Sequence, residues 1–165
     1  MYKPAKEKKV VYTHEQALEA LQHYCAYQDR CHQEARQKLR ELGYYGDPAE
    51  AVIADLITEK YLDELRFAQS FARGKFRIKR WGRLRITREL KQRELSAYCI
   101  RKALREITDE EYIAVLCADL ERHNAGELRR ARFSDFDRRG KVADYMIKRG
   151  YEPSLVWDMI REMEL

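Results

Sequence analysis

The chain has 165 residues, of which 45% are apolar and 37% are charged, so it can bury one ordinary core or several small units that share a core. Its 7 glycines and 3 prolines are too few for a typical β-sandwich or a long disordered protein. The formal net charge is +5, and no long apolar run predicts a transmembrane helix or a signal peptide.

The first part of the chain predicts a tail followed by three helices. Residues 1–12 are rich in lysine and lack helical periodicity, so we expect a flexible basic tail. Thr13 resembles the first residue of a capping box, and Gly43 can take the left-handed conformation that ends a helix. Asp47-Pro48 has the cap residue and early proline that predict the start of the third helix.

The rest of the chain predicts further helices. Asp63 and Ser96 are expected to cap two of them, with a break near Gly74, and Thr108 opens the clearest capping box in the sequence. The segment Asn124-Ala125-Gly126 predicts a turn or loop. No segment shows the alternating polarity of a strand, so the predicted fold class is all-α.

An apolar pattern recurs three times in register. Apolar residues fall 5, 9 and 12 places after Tyr44, Leu95 and Tyr151, as expected for tandem helical units. The predicted division is a tail at 1–12 and helical repeats at 13–61, 62–107 and 108–165. The predicted core residues in this register include Leu39, Ile53, Ile86, Leu90, Leu104, Val142, Met146 and Ile160.

Several motifs resemble the RecX regulatory proteins, and the resemblance extends over nearly the whole chain. Residues 61–68, which read Tyr-Leu-Asp-Glu-Leu-Arg-Phe-Ala, are similar to the motif that opens the second repeat of that family. Trp81-Gly82 and Glu89-Leu90 resemble its continuation, and Arg149-Gly150-Tyr151 resembles a turn of the closing repeat. One departure is Glu94, which stands where the equivalent turns have glycine.

The resemblance implies both a fold and a function. The fold is an elongated, curved, all-helical protein of three tandem three-helix repeats. The function is that of a non-enzymatic regulator of homologous recombination and DNA repair, connected with the SOS response. Such a regulator binds the RecA nucleoprotein filament and inhibits its growth, ATP hydrolysis and strand exchange. We expect a cytoplasmic monomer with no membrane partner.

Basic residues concentrate in the middle of the chain. Between Phe71 and Arg105 there are thirteen lysines or arginines and only two acidic residues. Cations neutralise phosphates, and they also complement an acidic protein groove. This strip therefore predicts contact with the RecA filament, with single-stranded DNA as a second expected partner. The predicted filament- or DNA-binding residues are Arg73, Lys75, Arg77, Lys79, Arg80, Arg83, Arg85 and Arg88.

Helical geometry refines this strip. Arg85 and Arg88 point away from Ile86 and Leu90 on the predicted helix, so we expect both arginines to be exposed. Trp81 has two interpretations, because its ring could stack on a base or could pack over the core at the start of the helix.

No cofactor, metal site or catalytic centre is predicted. His23 and Cys25 would lie about 200° apart on one helix, which is a poor geometry for a zinc ion shared with Cys31 and His32. The cysteines lack a CxxC spacing and are typical of a reduced, cytoplasmic protein. No nucleophile is paired with a base, and no glycine-rich phosphate loop is present.

Two other functions stay open at the level of the sequence. One is a DNA-binding helical protein that acts on DNA directly, without a recombinase partner. Reading of duplex sequence needs base-reading side chains on one helix, whereas the basic strip is poor in Asn and Gln. The other is a structural helical-repeat adaptor with no DNA involvement.

Overall fold

The computed structural model describes residues 12–130 and 134–165, which form nine α-helices and no strand. The all-α prediction is confirmed, and the basic tail predicted for residues 1–12 lies outside the described residues except for Tyr12. No helix among the described residues is long and apolar enough to cross a membrane. The helices are α1 (His14–Tyr27), α2 (His32–Glu41), α3 (Gly46–Thr58), α4 (Glu64–Arg77), α5 (Arg83–Gln92), α6 (Ala97–Leu104), α7 (Asp109–Arg130), α8 (Asp135–Lys148) and α9 (Pro153–Glu162).

The chain divides into two compact units at Phe67, a residue of α4. In the first unit, α1, α2 and α3 pack on one another around one apolar cluster. Leu39 and Ile53 belong to this cluster, as their register predicts, and so do Leu21 and Leu56. Burial of apolar side chains such as these away from water is the main driving force for the folding of the unit.

The second unit contains most of α4 and all later helices. α5 packs on α6, and α7, α8 and α9 pack on one another. The side chains that the register places in this core are buried, with one exception. The buried members are Ile86, Leu90, Val142, Met146 and Ile160.

The exception is Leu104, whose predicted place in the core is wrong. Its side chain is only partly buried, whereas Ala103, one residue earlier, is fully buried. α6 turns Cys99, Ile100 and Ala103 toward the core, so Leu104 lies at the edge of that face, in a surface depression near Arg105.

The helix starts follow the predicted caps except at α3. The start predicted there at Asp47-Pro48 is wrong, because α3 begins at Gly46 and its cap position is Tyr45, which makes no side-chain cap hydrogen bond. The Thr13 side chain accepts a hydrogen bond from the backbone of Gln16, and Gln16 completes the capping box. Ser96 caps α6 in the same way, and the Thr108 hydroxyl accepts from the backbone of Glu111 at 3.2 Å. Each cap satisfies a backbone N–H that has no partner within the helix.

Three equivalent turns close in the left-handed conformation. The φ angles are 82° at Gly43, 61° at Glu94 and 94° at Gly150. The middle turn therefore has the same backbone geometry as the other two, although it uses a residue with a Cβ. A non-glycine residue pays a steric cost in this region, which the packing around the turn must offset.

Two predicted interruptions of helices are wrong. α4 continues through Gly74, and α7 continues through residues 124–126. In α4 the continuation buries Phe76 completely, which stabilises by more than the roughly 1 kcal/mol that one helical glycine costs. In α7 the buried Asn124 side chain accepts a hydrogen bond from Arg138 at 2.8 Å, so its polar group is satisfied inside the unit.

Candidate partner interface

The cations of the predicted strip occupy three different environments in the second unit. Some form ion pairs within the unit, two contact the ring of one tryptophan, and the others are exposed or, in the case of Arg80, partly buried. In chain order they lie near the end of α4 (Arg73, Lys75, Arg77), on the turn after it (Lys79, Arg80) and on α5 (Arg83, Arg85, Arg88).

Three arginines of the strip pair with carboxylates on or before α7. Their N···O distances are 3.0 Å for Arg73–Glu106, 3.1 Å for Arg77–Glu111 and 2.8 Å for Arg83–Asp109. Pairs that remain partly exposed stabilise by only about 0–1 kcal/mol each. They have a larger effect on the net charge of the strip. Each carboxylate neutralises an arginine that appears unpaired when only the sequence is considered.

Arg83 also forms hydrogen bonds and a ring contact within the second unit. Its guanidinium donates to the carbonyl of Ile107 at 2.7 Å and lies 4.3 Å from the centre of the Tyr112 ring. Its backbone N–H donates to the Tyr112 hydroxyl at 3.0 Å, and that hydroxyl donates to Glu152 at 2.8 Å. Burial raises the pKa of Tyr112, so the hydroxyl stays protonated and can donate. Arg83 therefore holds the start of α5 against α7 and α9.

Trp81 is contacted by two cations of the strip. The Arg85 guanidinium lies 4.0 Å and the Lys75 ammonium 5.0 Å from the centre of its ring. Cations are attracted to aromatic faces, and the effect grows as the pair is removed from water. A nucleic-acid base that stacked on this partly buried ring would compete with both cations, which favours the packing role of Trp81 over the stacking role.

The predicted exposure of Arg85 is wrong, while that of Arg88 is confirmed. Arg85 is partly buried because the turn after α8 covers its side of α5. A Cβ placed on Gly150 would lie only 2.3 Å from the Arg85 Cβ, which shows how closely the two segments approach. The helical geometry of α5 predicts only that Arg85 points away from the buried face of α5. It does not predict that the turn after α8 packs against Arg85.

Two glycines make this contact between α5 and α8 possible. The Gly82 N–H donates to the carbonyl of Arg149 at 2.9 Å, and the Leu84 N–H donates to the carbonyl of Gly150 at 3.0 Å. A Cβ on Gly82 would come within 2.2 Å of the Gly150 backbone, so no side chain fits there. The Arg149 guanidinium also donates to the carbonyl of Lys79. The turn between α4 and α5 is thus anchored at both ends.

The cations that remain available are few. Lys79 and Arg88 are exposed, and the described residues provide neither with an ion pair or a ring contact. Ile78, next to Lys79, is 77% exposed, which is unusual for so large an apolar side chain. Arg80 is partly buried and adopts a φ of 56°. The free cations of the strip are therefore Lys79, on the turn after α4, and Arg88, on α5. We refer to these two cations and Ile78, three exposed residues on that turn and on α5, as the corner.

The sequence interpretation missed four further cations on α5 and α6 and at the residue directly after α6. They are exposed, and the described residues contain no carboxylate that pairs with them. The signal that could have found them is their spacing, since they lie opposite the buried register positions of α5 and α6. These cations are Lys91, Arg101, Lys102 and Arg105.

The cysteines of the first unit are part of its packing. Cys25 and Cys31 are buried, and Cys31 stands at the start of α2. Burial raises the pKa of Cys25 to about 11, so its thiol is protonated at neutral pH. Among residues 12–130 and 134–165 no three His, Cys, Asp or Glu side chains are grouped as metal ligands would be.

Comparisons with known proteins bear on the same unit and on the whole chain. Residues 63–104 match the family model described as the second three-helix domain of RecX. The chain is 30% identical over 154 residues to a regulatory protein RecX of Shigella boydii, covering 87% of this chain and 89% of that protein. It is also 33% identical over 97 residues to a regulatory protein RecX of Lactobacillus gasseri, covering 59% of this chain.

One of these relatives is much longer than this chain, and a solved RecX structure shares its fold. The matched region spans 36% of the Lactobacillus gasseri protein, so this chain covers about a third of that relative. The crystal structure of RecX from Lactobacillus salivarius superposes with a TM-score of 0.80 at 20% identity, covering 92% of this chain and 96% of that one. At that identity the likeness concerns the fold.

Proposed function

Because the chain belongs to the RecX family of regulatory proteins, we propose that it binds the RecA nucleoprotein filament and inhibits filament growth, ATP hydrolysis and strand exchange. It acts by binding, without chemistry of its own. The proposal places it in the cytoplasm, in recombination and DNA repair within the SOS response. The observation that carries it is the exposed corner of Ile78, Lys79 and Arg88, which combines unpaired positive charge with an exposed apolar side chain.

The composition of this corner fits a protein surface. A protein surface can offer acidic and apolar side chains together, and an exposed isoleucine gains from burial against the latter. Lys79 and Arg88 supply attraction to carboxylates or to phosphates of the bound strand. Since Gly82 and Gly150 anchor the turn, little backbone entropy is lost there on binding.

Binding of the regulator to the filament is then sufficient for inhibition. A helical protein that contacts neighbouring subunits of a filament links several modest contacts, and the second contact forms at high effective concentration. A bound regulator would obstruct the conformational changes that accompany ATP hydrolysis and would block the surface that the next subunit needs. Neither effect requires a nucleophile, a metal or a cofactor.

The test compares binding to the RecA filament on single-stranded DNA with binding to the bare strand, from about 50 to 200 mM salt. The parent protein should bind the filament more tightly than the strand at every salt concentration. The double variant Lys79→Glu/Arg88→Glu should bind the filament at least about tenfold more weakly, because two unpaired cations become anions. Arg85 is left unchanged in this test, since it also packs on Trp81.

The matched control reverses two exposed cations elsewhere. Arg40→Glu/Lys148→Glu changes the net charge by the same amount, and neither side chain forms an ion pair within residues 12–130 and 134–165. Its filament affinity should stay close to that of the parent. If the parent bound bare single-stranded DNA as tightly as the filament, direct action on DNA would be the better proposal.

A further inference from the structure

The outer face of α6 carries a basic surface separate from the predicted strip. Tyr98, Arg101, Lys102 and Arg105 are spaced by three and four residues, which places them on one side of the helix. All four are exposed, with Tyr98 54% exposed, and the Lys102 ammonium lies 5.7 Å from the centre of the Tyr98 ring. We refer to these four residues as the α6 face.

The positive charge of the α6 face is unpaired. None of its three cations forms an ion pair with the part of the chain that the structure describes. The nearest acidic residue in sequence, Glu106, is partly buried and accepts from Gln69 and Arg73 at 3.0 Å each. The opposite side of α6 buries Cys99, Ile100 and Ala103. The fold thus needs one side of this helix for its core and leaves the other side free.

The equivalent helices of the same chain show that this charge is not a requirement of the fold. Counted from Tyr44, Leu95 and Tyr151, the positions of the α6 face are the third, sixth, seventh and tenth. At these positions α3 has acidic or small side chains and no basic one. In α9 the last two of the four residues form an ion pair with each other. The α3 residues are Asp47, Glu50, Ala51 and Ala54, and those of α9 are Ser154, Trp157, Asp158 and Arg161.

The backbone presents the α6 face on the second helix of a helix-turn-helix arrangement. α5 and α6 pack on each other and are joined by residues 93–96, where Glu94 is left-handed and Ser96 caps α6. A helix presented in this way can enter the major groove of DNA, which is about 12 Å wide. At about 1.5 Å per residue, the α6 face extends roughly 10 Å along the helix axis.

We propose that the α6 face binds the phosphate backbone of duplex DNA, independently of any recombinase and without reading the base sequence. Three unpaired cations complement a duplex that carries one negative charge per roughly 1.7 Å of its axis. The face has neither Asn nor Gln, the residues that recognise adenine, so it supplies attraction rather than sequence readout.

Two other occupants fit the α6 face less well. Single strands are held on series of aromatic platforms, and this face has one exposed ring, Tyr98. Protein interfaces bury a core of large apolar side chains. The exposed positions of α6 offer no large aliphatic residue, in contrast to Ile78 at the corner described above.

The test uses the full chain, a fluorescently labelled duplex and no recombinase, with binding followed by anisotropy from about 50 to 200 mM salt. The triple variant Arg101→Ala/Lys102→Ala/Arg105→Ala should bind the duplex at least about tenfold more weakly at low salt. The slope of log K against log salt should become shallower by up to about 2.7, the value for three lost phosphate contacts. Because the three side chains are exposed, the helical circular dichroism and the thermal midpoint should stay close to those of the parent.

The control variant removes the same charge from three other exposed positions: Arg40→Ala/Lys148→Ala/Arg161→Ala. Its duplex affinity should stay within about threefold of the parent. Three results would overturn the proposal. These are no binding of the duplex by the parent at low salt, binding by the α6 variant as tight as that of the parent, and an equal loss of affinity in both variants. With no recombinase present, these results are independent of the proposed filament binding.

Discussion

The α2–α3 region of the first unit and the α5–α6 region of the second are built on one plan. Each has a helix with two buried side chains four residues apart, Ala35 and Leu39 in one and Ile86 and Leu90 in the other. Each continues into a left-handed turn and then a second helix. What the two regions share is therefore a set of buried positions and a turn geometry.

Their exposed surfaces are opposite in character. In α3, Glu50 pairs with Arg36 at 2.7 Å, and the hydrogen bond from Arg36 lowers the pKa of that carboxyl. In α6, the equivalent position is Arg101, which faces solvent without a carboxylate partner among the described residues. Shared buried positions maintain one backbone arrangement, and the exposed positions differ freely. Partner binding is therefore expected at the exposed positions, where the two regions differ.

The largest expected effect tests whether the two cores are equivalent. Leu39→Ala and Leu90→Ala should each lower the free energy of unfolding of their unit by about 2–5 kcal/mol, because both side chains are fully buried. Leu104→Ala should cost less than about 2 kcal/mol, since that side chain is only partly buried.

Denaturant titrations can measure these costs separately. Both tryptophans of the chain, Trp81 and Trp157, lie in the second unit, so their fluorescence follows its unfolding alone. Circular dichroism reports on both units. A cost for Leu104→Ala as large as that for Leu90→Ala would contradict the position that the structure gives to Leu104.

The three left-handed turns provide a graded test of intermediate size. Gly150→Ala should destabilise by about 2–3 kcal/mol, since the new Cβ meets an unfavourable φ and lies 2.3 Å from the Arg85 Cβ. Gly43→Ala should cost about 1 kcal/mol, because nothing lies within 4 Å of its Cβ position and only the φ is unfavourable. Glu94→Gly removes such a steric cost and should stabilise by roughly 0.5 kcal/mol.

Thermal and denaturant midpoints of these variants rank the turns directly. Gly74→Ala is a suitable control, since this glycine lies inside α4 with open space around its Cβ position and should gain about 0.4–1 kcal/mol. If Gly150→Ala cost no more than Gly43→Ala, the close contact between α5 and the turn after α8 would be wrong.

A further small effect concerns pH and the first unit. The pKa of Cys25 is raised from its ordinary value near 9 to about 11, so folding favours the protonated thiol. This contribution is complete below about pH 9 and is lost as the pH rises toward 11, with a loss of about 1 kcal/mol by pH 10. Alkylation of the native thiol at pH 8 should also be slow, because little thiolate is present.

Titration of other groups is separated by a variant without the thiol. Cys25→Ala should be less stable than the parent at pH 8 but should lose less stability between pH 8 and pH 10. Guanidinium titrations followed by circular dichroism at the two pH values give the comparison. Equal losses in parent and variant would mean that the Cys25 thiol ionises in the folded protein as easily as in the unfolded one.

Local signals in the sequence predicted most of the fold. Caps at Thr13, Ser96 and Thr108 depend on one side chain and the backbone of the same turn, so the sequence contains all that determines them. The continuation of α4 through Gly74 depends on the burial of Phe76 against Tyr112, which a local pattern does not contain. Tertiary packing outweighs a weak local preference there.

The candidate interface was harder to predict than the fold. The basic strip was recognised from its density of cations, but that density does not reveal which cations are paired. Glu106 and Glu111 lie more than 30 residues from the arginines that they neutralise, at separations of 33 and 34. Arg85 illustrates the same limit, since a distant turn and not its own helix determines its burial.

The central proposal is that the exposed corner of Ile78, Lys79 and Arg88 lets this RecX family member restrain RecA filaments. Its most direct test is steady-state ATP hydrolysis by RecA on single-stranded DNA, titrated with the parent, with Lys79→Glu/Arg88→Glu and with the control Arg40→Glu/Lys148→Glu. We expect parent and control to suppress hydrolysis at similar concentrations, and the corner variant to require at least about ten times more protein. Equal suppression by all three proteins, with all three folded by circular dichroism, would contradict the assignment of this corner to the filament.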